Sequence, residues 1–178
     1  PRMRPPETET PEFYIEIFLD PGEFFWADEE TRIKTILGSC VAICMWHPQK
    51  KIGGMSHSLL SEKKHRGTDL DARYVLDAVQ MFEQAIDRAK TFRSDYVVKL
   101  FGGSTTLEKQ PLMRERYLAG TSTGQTNAQF ARKLLLDRGF RIESEHTGDV
   151  GYRNLIFDMW SGNAWLRHIK PETEKGKT

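Results

Sequence analysis

The chain has 178 residues, 38% of them hydrophobic and 29% charged, which fits one globular unit able to bury a core without staples. With 26 Lys and Arg against 25 Asp and Glu the net charge is +1, so there is no electrostatic footprint for nucleic acid. No apolar run approaches the roughly 18 residues of a membrane span. In chain order, residues 1–12 are polar and proline-rich, show no signal-peptide pattern and read as a tail. Phe13–Leu19 is rich in β-formers and stops at the turn signal Asp20-Pro21-Gly22. Ile33–Leu37 reads as a short strand closed by Gly38-Ser39. Val41–Trp46 is a nearly all-apolar strand followed by a turn at His47-Pro48, and Lys51–Leu60 is a third.

Leu70, Tyr74, Val75, Val79, Phe82 and Ile86 recur at helical spacing, which predicts an amphipathic helix over Asp69–Lys90 capped by Thr68 or Asp69. Tyr96–Phe101 is a strand ending at Gly102-Gly103. A second helix spans about Thr123–Arg138: Ser122 and Gln125 make a capping-box pattern, and Gly139 stands where a left-handed C-terminal residue belongs. Phe140–Glu145 and Asn154–Trp160 are strands, and Ala164–Ile169 pairs back across Ser161-Gly162-Asn163. Residues 171–178 are a polar tail. The whole predicts a single domain over 13–170, an α/β layered sandwich of mixed, mostly antiparallel sheets with two main helices packed outside.

Three glycine-bearing stretches depart from plain core-and-surface alternation: Leu37–Cys40, Gly53–His57 and Phe101–Ser104. Glycine weakens a strand unless backbone must bend or approach something closely. Cys40 follows Gly38-Ser39, so it lies at a bend, where successive backbone N–H groups can face an oxyanion. His57 lies seventeen residues on, across a short turn. An antiparallel pairing of the two strands sets the start of one beside the end of the other and brings Cys40 and His57 together. An imidazole there takes the thiol proton and frees the nucleophile. On a strand, Cys40 and Cys44 stand roughly 13 Å apart at ~3.3 Å per residue, too far for one zinc ion or a disulfide. Two such cysteines fit a reducing, cytoplasmic setting. Cys44 reads as core, His47 as a turn residue and His65 as a solvated loop residue, and nothing ties His146 or His168 to Cys40. No metal or cofactor is expected. Thr35 is the nearest group able to accept from the second ring nitrogen of His57; it is equally readable as a plain β-former.

Leu-Gly-Ser-Cys-Val-Ala-Ile-Cys at 37–44, Gly-Gly-Met-Ser-His at 53–57 and Lys-Leu-Phe-Gly-Gly-Ser at 99–104 resemble the CheD family of chemoreceptor glutamine deamidases in order and spacing. The similarity continues through Gly124, Asn127 and Thr147-Gly148 and covers about 13–169. It implies that Cys40 attacks a receptor glutamine side chain in chemotaxis adaptation, with His57 as base and then acid, through a thioester that water opens to glutamate. The family's third catalytic residue is a threonine just upstream of the cysteine; its counterpart is Thr35, one place after Lys34. Gly38, Ser39, Gly102, Gly103 and Ser104 are the expected substrate-binding positions. After Thr147-Gly148 the family pattern continues with glycine, and Asp149 stands there instead. The implied partners are the cytoplasmic helices of chemoreceptors, with no nucleic acid and no membrane insertion. An alternative is a regulatory module for a CheC-type phosphatase with little catalysis of its own. The same Cys and His would also serve a cysteine peptidase.

Overall fold

A computed structural model describes residues 10–65, 67–105, 115–116, 118–120 and 122–172. Most of the two expected tails lies outside these residues. Among the described residues the order is β1 (Ile15–Phe18), β2 (Phe24–Ala27), β3 (Thr31–Leu37), β4 (Val41–His47), β5 (Ile52–Ser58), α1 (Val75–Arg88), a 3-10 turn over Arg93–Asp95, β6 (Val97–Gly102), α2 (Thr123–Asp137), β7 (Ile142–Thr147), β8 (Tyr152–Asp158) and β9 (Ala164–Ile169). One sheet has four strands in the order β1-β3-β8-β9 and the other has five in the order β2-β5-β4-β6-β7. Each has one parallel pair, β1 with β3 and β6 with β7; the other pairs are antiparallel. This is the layered α/β sandwich that the sequence predicts.

Strand β4 explains the layering. Its side chains alternate between faces, and both faces are covered. Val41, Ile43 and Met45 join Val75, Val79, Phe82 and Ile86 of α1 and Ala128, Ala131 and Leu135 of α2 in one core. Ala42 and Cys44 join Ile33, Leu37, Leu155 and Phe157 of the four-stranded sheet in the other. Burying each large apolar side chain stabilises by roughly 1.5–3 kcal/mol, so this strand ties sheet to sheet on one side and sheet to helices on the other. That double burial accounts for its lack of polar alternation.

Two expectations need correction. The helix predicted from Asp69 begins at Val75, with Tyr74 at its N-cap and no side-chain cap. Leu70 and Tyr74 fit the helical stripe by spacing, yet Tyr74 makes an isolated parallel bridge to Leu60. Neither Thr68 nor Asp69 caps; instead the Asp77 carboxylate in the first turn accepts from the Asp71 N–H at 2.9 Å. Strand β2, at the edge of the five-stranded sheet, was not expected. Its aromatics serve both cores: Phe24 and Trp26 pack toward the helices and Phe25 toward the other sheet. The second helix starts as predicted, with Ser122 and Gln125 in a reciprocal capping box, and Gly139 is left-handed at φ 82. Among the described residues no helix is long and apolar enough to cross a membrane.

Candidate active site

Strand β3 belongs to one sheet and β4 to the other, so Gly38-Ser39-Cys40 is the corner where the chain passes between them. The end of β6 clasps that corner. Gly103 N–H donates to the Cys40 carbonyl at 2.8 Å and Ser104 N–H to the Gly38 carbonyl at 2.9 Å. A regular antiparallel rung would return a bond from Cys40 N–H to Gly103. The left-handed backbone of Gly103, φ 73, breaks that rung. Among the described residues Cys40 N–H has no backbone acceptor. A Cβ placed on Gly38 would meet nothing within 4 Å, so the corner opens to free space on that side. Cys40 is half-buried against the core between the sheets. Burial pushes its thiol up from the ordinary value.

His57 approaches from the neighbouring strand. It pairs with Ala42 across β4 and β5, so its side chain projects on the face of Ala42 and, two residues back, Cys40. A diagonal neighbour of this kind lies within reach of an aromatic ring. The backbone of His57 is held on its other side, donating to the Glu23 carbonyl at 2.9 Å and accepting from Gly22 N–H at 2.8 Å. His57 is 1% exposed.

Thr35, on β3 of the opposite sheet, meets the His57 ring. Its Oγ1 donates to the Leu19 carbonyl at 2.7 Å, which spends its one proton. The 2.8 Å contact between Thr35 Oγ1 and His57 Nδ1 therefore has the ring as donor. Nδ1 carries the proton and Nε2 presents its lone pair. Nε2 is buried and has no hydrogen-bond partner among the described residues. Burial lowers the His57 pKa from 6.5, opposed by the Leu19 backbone and the negative charges of Asp20 and Glu23. Burial thus favours the neutral form of both the imidazole and the Cys40 thiol.

The other sequence candidates lie as follows. Gly103 and Ser104 spend their N–H groups on the corner itself, so with Gly102 they shape the Cys40 bend from behind. Gly53 and Gly54 lie at the far end of β5 from His57, where a Cβ would overlap the carbonyls of Met45 and Phe25. Cys44 is fully buried in mid-strand, its thiol pushed up by burial. His47 closes a turn, accepting from Lys50 N–H at 3.2 Å, and His65 is exposed. His146 and His168 meet edge to face at 5.3 Å. No group of three or more His, Cys, Asp or Glu able to hold a metal ion occurs among the described residues. Asp149 adopts φ 64, the left-handed conformation that the expected glycine would take.

Two further residues were not singled out as site residues. Asn127 of α2 donates from Nδ2 to the Leu59 carbonyl at 2.7 Å and reaches the Ser39 carbonyl at 3.5 Å. Its signal was a polar residue on the apolar stripe that runs through Ala128, Ala131 and Leu135. Arg153, fully buried, donates to the Ser104 hydroxyl, to His146 Nδ1 at 2.9 Å and to the Gly148 carbonyl at 2.7 Å. A cleft of about 620 Å³ opens beside Asn127, between the 60–65 loop and the start of α2.

The fold is an α/β sandwich in which Cys40 lies at a sheet-to-sheet corner and the ring of His57, on the neighbouring strand, donates to Thr35. The profile of the CheD family, "CheD chemotactic sensory transduction", matches residues 57–168. The chain is 41% identical over 152 residues to a probable chemoreceptor glutamine deamidase CheD 3 of Dechloromonas aromatica, covering 85% of this chain and 86% of the relative. It is 37% identical over 162 residues to a probable chemoreceptor glutamine deamidase CheD of Pseudomonas syringae pv. tomato, covering 90% and 94%. A CheD 1 relative of the same name from Leptospira interrogans is 34% identical over 167 residues, covering 91% and 96%. The chain belongs to the CheD family.

Proposed function

We propose that this chain is a chemoreceptor glutamine deamidase, with Cys40 as nucleophile, His57 as general base and acid, and Thr35 as the residue that orients the imidazole. The observation that carries the residue assignment is the buried Nε2 of His57, which has no partner among the described residues and is left as a lone pair because Thr35 accepts from Nδ1–H. An unsatisfied buried polar atom costs about 1–3 kcal/mol, and a purely structural histidine has no reason to bear it.

His57 Nε2 takes the Cys40 thiol proton as sulfur attacks the side-chain carbonyl carbon of a glutamine. The carbonyl oxygen becomes an oxyanion, and the Gly38-Ser39-Cys40 corner offers it the Cys40 N–H, which has no backbone acceptor among the described residues. The tetrahedral adduct expels nitrogen, to which His57 returns the proton, and ammonia leaves. A thioester remains. His57 next takes a proton from water, whose oxygen attacks the thioester carbon. Sulfur departs and recovers the proton, and glutamate is released. The sum is glutamine plus water giving glutamate plus ammonia, with no external electron donor or acceptor.

The substrate is a glutamine on the cytoplasmic helices of a chemoreceptor, which places the activity in the cytoplasm. Incubation with a receptor cytoplasmic fragment tests the reading by mass spectrometry: each modified glutamine gains the mass that exchanging NH2 for OH brings, without chain cleavage. An equal gain with Cys40→Ala, or cleavage of the chain, overturns it.

A further inference from the structure

The β4–β5 ladder ends at Val41 opposite Ser58. Beyond it the two chains part. Leu59 and Leu60 turn their N–H groups to the Arg73 carbonyl, at 2.8 and 3.0 Å, and the carbonyls of Ser39 and Leu59 are left at the open end of the ladder. The Asn127 amide bridges that gap. One nitrogen serves both carbonyls, and the amide cannot turn over, because its Oδ1 is held by the Ser61 hydroxyl at 3.1 Å. Asn127 is 2% exposed. The 2.7 Å bond to Leu59 ties α2 to the end of β5, and the longer 3.5 Å reach to Ser39 needs a further account.

A trans peptide supplies it. The Ser39 carbonyl and the Cys40 N–H belong to one rigid plane and point in opposite directions. Whatever holds the carbonyl toward α2 holds the N–H away from it, toward the Gly103 side where the backbone rung is missing. We propose that Asn127 is a positioning residue that fixes the Ser39–Cys40 peptide and so keeps the Cys40 N–H aimed at the developing oxyanion. This rests on the deamidase reading and deepens it. Without Asn127 the peptide is free to rotate, and the thiol keeps its place while the oxyanion loses its donor.

The test is Asn127→Leu, close in shape and without donors, compared with the parent and Cys40→Ala on a receptor cytoplasmic fragment. Losing an oxyanion donor outright lowers kcat by about 10²–10³; loosening one should lower it by roughly 10–100-fold, with KM within about threefold. The second readout is alkylation of Cys40 by iodoacetamide across pH. Displacement of iodide makes no oxyanion, so its limiting rate should stay within about threefold of the parent. An unchanged kcat overturns the proposal, and so does a fall in alkylation parallel to that in kcat, which would mean that Asn127 holds the thiol itself. If Asn127→Leu does not fold, Ser61→Ala, which frees the amide to turn, should lower kcat severalfold with alkylation intact; an unchanged kcat there overturns it. Failure of the parent to deamidate, or activity equal to that of Cys40→Ala, removes the deamidase reading and this inference with it. A deamidating parent matched by Asn127→Leu removes this inference alone.

Discussion

Thr35 and His57 sit on different sheets, and their side chains meet at 2.8 Å in the gap between them. The relationship is directional. Because the Thr35 hydroxyl already donates to the Leu19 carbonyl, its oxygen can only accept from the ring, and the imidazole is held in a single tautomer. The strand that carries Thr35 also runs directly into the corner that carries the Cys40 thiol.

Thr35→Val should therefore damage catalysis more than folding. Valine keeps the shape and the β-branch and removes the acceptor. The Nδ1 proton then has no partner, and the neutral ring is free to carry its proton on Nε2, where it cannot act as a base. A positioned general base contributes about 10²–10⁴-fold, so a fall in kcat of at least 10-fold is expected, with a stability loss of about 1–3 kcal/mol from the buried unpaired groups. Thr35→Ser should recover most of the rate. Deamidation rates and urea midpoints measured side by side check this; parental kcat in the valine variant would refute the orienting role.

The pH dependence follows from burial acting oppositely on the two partners. His57 is lowered from 6.5 and Cys40 is raised, so neither is charged at neutrality. The acid limb of kcat/KM should fall below pH 6.5, where the base becomes protonated, and iodoacetamide should alkylate Cys40 slowly until well into the alkaline range. Stability runs in the same direction. A folded-state pKa below the unfolded value means that the unfolded chain binds more protons. The contribution of His57 is complete above 6.5 and is lost as pH falls from there through the lower folded value. Rapid alkylation at pH 5 would instead require a preformed thiolate–imidazolium pair.

How much of this was legible in sequence depended on whether the signal was local. The antiparallel return of β5 along β4 was, because a turn at 48–50 between two β-rich runs forces it, and the ladder has Ala42 opposite His57. The Ser122 cap and Gly139 were legible because capping is settled within a few residues. The start of α1 was not: Leu70 and Tyr74 match helical spacing but pack from an extended segment, and periodicity cannot separate the two. Strand β2 was missed because Phe24 to Trp26 are aromatic without alternation, a pattern that arises when both faces of an edge strand are covered. The choice between Thr35 as orienter and Thr35 as β-former needed the opposite sheet. Asn127 and Arg153 act through carbonyls and hydroxyls brought close only by the completed fold.

Gly124→Ala should lower stability even though alanine is the better helix former by up to about 1 kcal/mol. The helix crosses the end of β6 backbone to backbone. A Cβ at Gly124 would overlap the Ser104 carbonyl and stand 2.6 Å from the carbonyl carbon of Gly103, and neither is a flexible side-chain tip that can step aside. Overpacking of this kind costs typically about 1–3 kcal/mol, which exceeds the propensity gain. Because α2 carries Asn127, kcat should fall as well. Thermal melting and the deamidation rate of the folded fraction measure the two effects; a variant more stable than the parent would show that the crossing is looser than described.

Arg153 makes a sharper comparison, because two opposite substitutions can be ranked. The guanidinium is fully buried, has no carboxylate within ion-pair distance among the described residues, and satisfies Ser104, His146 and Gly148 at once. Lysine keeps the charge but presents it as a compact, strongly hydrated ammonium, and from one nitrogen it cannot span three acceptors that a planar fork reaches separately. It should therefore pay desolvation while leaving acceptors unpaired at about 1–3 kcal/mol each. Methionine gives up all three bonds but removes the buried charge altogether. Arg153→Lys should be less stable than Arg153→Met, and both less stable than the parent, by roughly 2–5 kcal/mol for the lysine variant. Chemical denaturation of the three proteins gives the order. A lysine variant within about 0.5 kcal/mol of the parent would mean that charge alone is what the position requires, since surface-like tolerance of that size is not expected of a fully buried fork.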